Sequence, residues 1–324
     1  MQPFDALEPR LIITAVESCL GVRLDGSIYP CASYVNRVYG VNGDSGAEYI
    51  VKFYRPDRWS FEAIAAEHAF LRELSDAEVP VVPPLEDEDG DTLFEIEVDD
   101  GEEGTVYPCA IFPKRGGRTF DAEDDDHWLR LGALVGRMHG VGAQRDAPER
   151  ILLDPSEWGG GNLDALVADG SIHEECRNEF VEIVEDALQE METRFQGVPV
   201  QRIHGDCHRG NILDRRDEGL LLIDFDDMMR GPAVQDLWLL LPDHRDQSQR
   251  ELTLLLDGYR QFRPLHEEQF ELIEALRFLR MVHYLAWQAR QRRDQHFQRQ
   301  FPDWGSRSFW IKEVEDLRDQ ARLL

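Results

Sequence analysis

Apolar and polar positions divide this chain into a first part made mainly of strands and a second part made mainly of helices. Glu8 to Leu20 reads as an opening helix, and Tyr34 to Val41 and Glu48 to Tyr54 read as strands. The turn Asn42-Gly-Asp-Ser-Gly46 between them is a hairpin signal. Ser60 stands as an N-cap before a helical stripe of Phe61, Ile64, His68 and Leu71, and Val79-Pro-Val-Val-Pro-Pro84 ends that helix. Thr92 to Val98 and Thr105 to Phe112 read as two more strands around an acidic turn, Asp99 to Gly104. Beyond Pro113 the amphipathic helices Trp128 to Met138 and Glu174 to Phe195 appear. Two short apolar runs, Ile212-Leu213 and Leu220 to Ile223, then form a hairpin about the polar turn Asp214 to Gly219. Helical segments Val234 to Leu241, Arg250 to Phe262 and Glu267 to Gln298 follow, with a last helix from Ser308. The pattern predicts an α+β fold with a β-rich domain over residues 1–113 and a helical domain over 114–324. A ligand is expected between them, since ligands favour domain interfaces.

Composition narrows the function classes. The 324 residues carry a formal net charge of −29. That charge opposes nucleic-acid binding, where Lys and Arg neutralise phosphates, and opposes an anionic membrane surface. It would favour cationic partners such as basic peptides or polyamines, but a solvated acidic surface that keeps the protein soluble is the preferred explanation. Lysine occurs only at positions 52, 114 and 312, so a catalytic lysine has few candidates. The cysteines, Cys19, Cys31, Cys109, Cys176 and Cys207, are odd in number and contain no Cys-x-x-Cys, which fits reduced thiols in the cytoplasm. The N-terminal residues lack a basic stretch followed by an apolar one, and no apolar run approaches a membrane span.

The chemistry is concentrated in Ile203-His-Gly-Asp206-Cys-His-Arg-Gly-Asn211-Ile-Leu213 and Leu221-Leu-Ile-Asp224-Phe-Asp-Asp227. The hairpin between them brings Asn211 and Asp224 to its open end. Two oxygen ligands there suit Mg²⁺, which takes one or two protein groups and completes its shell with substrate phosphates. Asp206 precedes the hairpin and is free to accept a hydroxyl proton. Transfer of a phosphoryl group from Mg·ATP relies on positioning and charge neutralisation, so a few oxygen-bearing residues suffice. Asp and Asn are also common turn residues, and a lone His-x-Asp means little; the complete spacing carries the reading.

The phosphates also need a cation. Lys52 lies mid-strand on the face of Ile50 and Tyr54, where a buried ammonium requires a partner. Glu67, one helix later, offers it, with Glu62 a weaker competitor; strand lysine and helix glutamate form such a pair in kinases. Between the first strands, Cys31-Ala-Ser33-Tyr-Val-Asn36-Arg-Val-Tyr39 has no glycine, and Ser33 is the candidate contact for phosphate oxygens. Asp236 opens an apolar helix and is expected to accept hydrogen bonds from the backbone of the Asp206 loop. His139 and His283 read as packed or surface residues, and Cys207 as a packing residue rather than a redox sensor.

With these residues in place the chain resembles the aminoglycoside-phosphotransferase-like branch of the protein-kinase fold and, within it, the bacterial stress response kinase A family. The resemblance rests on Ser33-Tyr-x-Asn-Arg-Val-Tyr39, Val51-Lys-Phe-Tyr-Arg-Pro-x-Arg-Trp59, Glu67-His68, Phe112-Pro113 with Gly116-Gly-Arg118, His204-Gly-Asp-Cys-His-x-Gly-Asn211 and His283-Tyr-Leu-Ala-Trp287. It implies a two-lobed fold and phosphorylation of protein Ser and Thr residues with ATP and Mg²⁺ in the cytoplasm. Asp206 would be the proton acceptor, Asn211 and Asp224 the magnesium ligands, and Ser33, Lys52 and Glu67 the nucleotide site. A monomer without nucleic-acid or membrane partners is expected. Two positions depart from typical protein kinases: His208 stands where a lysine follows the catalytic Asp, and Asp226 stands where Asp-Phe-Gly has its glycine. Both are tolerated in small-molecule kinases, so an aminoglycoside-, choline- or homoserine-like acceptor is the alternative. A pseudokinase is disfavoured by the presence of Lys52, Asp206, Asn211 and Asp224.

Overall fold

The computed structural model describes residues 4, 7–31, 33, 35–98 and 104–324. Along the chain run helix α1 (Pro9–Leu20), strands β1 (Leu24–Pro30), β2 (Arg37–Gly43) and β3 (Glu48–Phe53), helix α2 (Phe61–Asp76), and strands β4 (Phe94–Val98), β5 (Thr105–Pro113) and β6 (Arg118–Thr119). Helices α3 (Asp125–Gly142), α4 (Gly161–Ala168) and α5 (Glu174–Phe195) follow, then β7 (Gln201–Ile203), β8 (Ile212–Asp214), β9 (Leu220–Leu222) and β10 (Met229–Gly231). Helices α6 (Val234–Trp238), α7 (Gln249–Tyr259), α8 (Ile273–Gln291), α9 (Gln295–Gln300) and α10 (Arg307–Ala321) complete the order. No helix of the described residues is long and apolar enough to cross a membrane.

The chain divides into two compact units. Met1–Phe120 and Gly210–Asp226 form the first; Asp121–Arg209 and Asp227–Leu324 form the second. Residues 210–226 group with the first unit because β8 pairs with β6, Leu222 donates to the Pro80 carbonyl at 2.9 Å, and Phe225 packs edge-on against Phe70. The pattern of apolar and polar positions, which sets the division at 113 and 114, carries none of these long-range contacts.

The first unit is built on an antiparallel sheet of order β1-β2-β3-β5-β4. Side chains alternate across it, as the strand period requires. Val51 and Phe53 on β3, with Cys109 and Ile111 on β5, enter a core that includes Ile12 and Val16 of α1. Tyr54 and Ala110 belong to the opposite cluster, with Ile64 of α2 and Phe112 beside it. Each large apolar side chain fully buried this way stabilises the fold by about 1.5–3 kcal/mol. Lys52, opposite Ala110 in register, therefore faces the α2 side of the sheet.

Most elements fall where the pattern placed them, and the Ser60 hydroxyl caps α2 by accepting from the Ala63 N–H at 3.2 Å. Strand β1 was not foreseen. Leu24-Asp-Gly-Ser-Ile-Tyr-Pro30 has few apolar positions, pairs irregularly with β2 between Leu24 and Ile28, and occupies a sheet edge, where one ladder is enough. The expected helix over 267–298 is interrupted. A 3₁₀ turn covers Glu267–Leu272, and a second break follows α8, where the Asp294 N–H turns back to the Gln291 carbonyl at 2.8 Å. The start of the first expected strand at Tyr34 and most of the acidic turn Asp99 to Gly104 lie outside the described residues.

In the second unit α3 and α7 approach so closely that glycine is required. A Cβ on Gly132 would lie 1.8 Å from the Leu255 carbonyl oxygen, and one on Gly258 would lie 2.0 Å from that of Leu129. This approach sets His139 of α3 against Tyr259 of α7, with rings 5.6 Å apart and edge-on.

Candidate active site

In the first unit the side-chain alternation of β3 aims Lys52 at a group of acids. Its ammonium lies 3.0 Å from Asp226, 3.4 Å from Asp224 and 3.8 Å from Glu67, and it sits 4.8 Å from the centre of the Tyr54 ring. Burial pushes the lysine pKa down, but the nearby charges of Asp226, Glu67, Tyr54 and Asp224 outweigh it and hold the pKa well above the ordinary value. Lys52 is therefore a permanent cation. Glu67 is almost completely buried and is approached by the Tyr54 hydroxyl at 3.5 Å, so the pairing expected from the sequence is present. Helix α2 supplies both Glu67 and, one turn later, Phe70, whose contact with Phe225 fixes the segment bearing Asp224 and Asp226.

The expected hairpin is formed by β8 and β9. Ile212 pairs with Leu222, and the Ile223 N–H donates to the Asn211 carbonyl at 3.0 Å. The backbones of Asn211 and Ile223 are thus linked, with Asp224 next along the chain. Asp224 has a φ of +62°, a left-handed conformation that is costly for a residue with a Cβ and that accumulates at functional sites. Its side chain is 57% exposed. An amide oxygen and an accessible carboxylate fit a hard cation such as Mg²⁺, which needs no larger protein cage. Among the described residues no group of three or more His, Cys, Asp or Glu forms a closed metal site. Ser33 lies in the connection between β1 and β2, and its neighbours Ala32 and Tyr34 lie outside the described residues.

Asp206 belongs to the second unit, on the loop leaving β7. Three constraints shape that loop. Strand β7 pairs with β10, Ile203 opposite Met229. Gly205 has a φ of +83°, and a Cβ there would lie 2.1 Å from the Asp227 carbonyl oxygen, so only glycine fits. Asp236, fully buried at the start of α6, accepts from the His204 N–H at 2.7 Å and the Gly205 N–H at 2.9 Å, as its sequence context suggested. Its second partner set is equally ordered: His139 Nε2 lies 2.9 Å from Asp236, and His139 Nδ1 lies 3.1 Å from the Tyr259 hydroxyl. Burial, reinforced by Asp236 and opposed by Arg263, pushes the Tyr259 pKa up. Tyr259 therefore keeps its proton; the Asp236 carboxylate can only accept, so His139 Nε2–H donates to it, and Nδ1 shares its hydrogen bond with the Tyr259 hydroxyl. His139 is a packed residue, as expected.

Arg280 and His208 both lie against Asp206. Arg280 of α8 donates to Oδ1 at 2.6 Å, and His208 Nε2 lies 3.4 Å from Oδ2. Burial alone would raise the carboxyl pKa. The hydrogen bond to His208 and the charges of Arg280, His208 and His204 overcome it and hold Asp206 well below the usual carboxylate range. It is an anion, and a weaker base than an unpaired carboxylate. Cys207 is buried and its thiol pKa is pushed well up, chiefly by burial and further by Asp236 and Asp206, which makes it an inert packing residue.

Sequence reasoning named Lys52, Glu67, Asn211 and Asp224, which the first unit holds, and Asp206, which the second holds. It missed two participants. Asp226, noted only as a departure from glycine, is the acid nearest to Lys52 and also contacts Arg58. Arg280 lies 74 residues from its partner Asp206, and no local pattern links them.

An ammonium ringed by carboxylates in one unit and a buttressed Asp on a glycine loop in the other are each of a kind that phosphoryl transfer uses, and comparison with known proteins points to the same chemistry. The pattern of the family described as "Phosphotransferase enzyme family" matches residues 28–269. Stress response kinase A of Escherichia coli (strain K12) is 32% identical over 329 residues, covering 99% of this chain and 94% of that protein. A Salmonella typhimurium protein named serine/threonine protein kinase RdoA is 33% identical over 322 residues, with the same 99% and 94% coverage. Among solved structures, that of amicoumacin kinase hAmiN in complex with AMP-PNP, Ca²⁺ and Ami superposes with a TM-score of 0.77 at 18% identity, covering 97% of this chain and 94% of that one. The chain belongs to the phosphotransferase enzyme family and, within it, to the stress response kinase A family. It is accordingly an ATP-dependent phosphotransferase with an α+β, protein-kinase-like fold.

Proposed function

We propose that this chain transfers the γ-phosphoryl group of ATP to a Ser or Thr hydroxyl of a protein, as a cytoplasmic, monomeric kinase of a bacterial stress response. The observation that carries the reading is the Lys52 cluster, a buried permanent cation set among Glu67, Asp224 and Asp226. A relative matching 99% of the chain and named a serine/threonine protein kinase supports the acceptor class. In this reading residues 1–113 are the ATP-binding lobe and 114–324 the catalytic and substrate lobe. Lys52, oriented by Glu67, binds the α/β-phosphates, and Ser33 contacts phosphate oxygens. Asn211 and Asp224 would hold Mg²⁺, which would neutralise charge on the phosphates. Asp206 accepts the hydroxyl proton as the acceptor oxygen bonds to phosphorus and the bond from phosphorus to the bridging oxygen of ADP breaks. The acidic surface draws basic protein segments and repels nucleic acid and anionic membranes.

A second reading, a kinase of small hydroxyl compounds, is favoured by His208 and Asp226 at positions where protein kinases carry Lys and Gly. Transfer of labelled γ-phosphate by the purified protein separates the two. Basic proteins containing Ser and Thr are offered beside aminoglycosides, choline and homoserine, with and without a magnesium chelator. Labelled phosphoserine or phosphothreonine, lost on chelation, is expected. Label confined to small molecules refutes the protein-kinase reading, and no transfer to any acceptor refutes both.

A further inference from the structure

Arg280 sets a strong cation against the proposed base, and the transfer step described above gives it no part. The guanidinium is monodentate, with Nη2 on Oδ1. Its side chain is 31% exposed, and Asp206 is its only partner among the described residues. The arm is rigidly mounted, because its neighbours Phe278, Leu279 and Val282 on α8 are fully buried. Arg277, one turn earlier, is committed elsewhere, to Glu274, to the Asp243 carbonyl and to the Trp238 ring. The position two residues beyond Asp206, lysine in typical protein kinases, is held by His208, whose charge depends on protonation.

Pairing a general base with a permanent cation weakens it as a base. That arrangement is costly if proton removal limits the reaction. It costs little if the transition state is loose and the main demand is to neutralise the phosphoryl oxygens. The oxygen that Asp206 deprotonates is the atom that bonds to phosphorus, so a donor within 2.6 Å of Asp206 is within reach of the group in transfer.

We propose that Arg280 is a catalytic residue: its free guanidinium edge neutralises the phosphoryl group while Asp206 receives the acceptor's proton. The proposal rests on the kinase reading above and deepens it. In the transfer, the acceptor O–H proton goes to Asp206, the acceptor O–P bond forms, the P–O bond to ADP breaks, and Arg280 stays protonated throughout.

The test is Arg280→Ala and Arg280→Lys in the wild type and in an Asp206→Asn background, where the Arg–carboxylate pair is already gone. Affinity for ADP–aluminium fluoride, a mimic of the planar phosphoryl group, is measured beside affinity for ADP alone. Arg280→Ala is expected to lower kcat by about 10²–10³-fold, with KM for ATP little changed. It should weaken ADP–aluminium fluoride but not ADP in both backgrounds. Added guanidinium should restore part of the rate, and Arg280→Lys should fall in between. If Arg280→Ala leaves ADP–aluminium fluoride affinity unchanged in the Asp206→Asn background, Arg280 only orients Asp206 and the proposal fails. An active wild type with an equally active Arg280→Ala overturns it without touching the kinase reading, whereas an inactive wild type overturns that reading itself. Should Arg280→Ala not fold, an Arg280→Lys enzyme with unchanged kcat and unchanged ADP–aluminium fluoride affinity also refutes it.

Discussion

Replacing Asp236 with Ala tests whether the Asp206 loop is held from beneath. The carboxylate accepts three hydrogen bonds in a site closed to water: His204 N–H at 2.7 Å, Gly205 N–H at 2.9 Å and His139 Nε2 at 2.9 Å. Alanine leaves two backbone donors buried without an acceptor, each costing about 1–3 kcal/mol. The imidazole proton adds a smaller cost, since the ring can change tautomer once Asp236 is gone. The sum is about 3–6 kcal/mol, a large share of the ~5–15 kcal/mol that stabilises a typical domain. With ~2–4 °C per kcal/mol for a unit of this size, the melting temperature should fall by at least about 6 °C. Asp236→Asn keeps the shape and one acceptor oxygen, so it should cost about 1–3 kcal/mol and leave a folded protein. Thermal unfolding followed by circular dichroism measures both, and phosphate transfer by Asp236→Asn reports on Asp206. An Asp236→Ala protein melting within ~2 °C of wild type would show that the loop donors find other partners, and the buttress argument would be wrong.

Asp206→Asn should lower turnover by about 10²–10⁴-fold while nucleotide affinity, measured by calorimetry, stays unchanged. Because the folded Asp206 pKa is depressed, the stability it contributes is present above the ordinary carboxylate value and is lost only as pH falls through the lower folded value. The carboxylate therefore stays ionised through mild acid, and a kcat/KM profile with an Asp206-dependent limb at or above the ordinary carboxylate value would contradict the pairing with Arg280 and His208. Lys52→Met removes the ammonium that lies 3.8 Å from the buried Glu67 carboxylate and also faces Asp224 and Asp226. Unfolding free energy in urea should drop by about 3–5 kcal/mol, and kcat/KM for ATP should collapse; retention of both would refute the cluster. The folded Lys52 pKa is raised, so its contribution is complete below the ordinary lysine value and is lost as pH rises through the folded value.

The sequence by itself determined whatever depends on near neighbours. Alternation in Glu48 to Tyr54 separated Val51 and Phe53 from Lys52 and Tyr54, and so decided which face the lysine takes. Apolar runs on either side of Asp214 to Gly219 set the hairpin that links Asn211 to the residue before Asp224. The acidic opening of α6 foretold the hydrogen bonds from His204 and Gly205 to Asp236. These features follow from side-chain period and turn chemistry, which act over a few residues. Tertiary structure alone decided the rest: Asp226 displacing Glu67 as the nearest acid to Lys52, the His139–Tyr259 support beneath Asp236, the edge strand β1, and Arg280 on Asp206. Each joins groups that the chain brings together only by folding. Their electrostatics depend on burial and on distances of a few ångströms, quantities that do not exist until the core has formed.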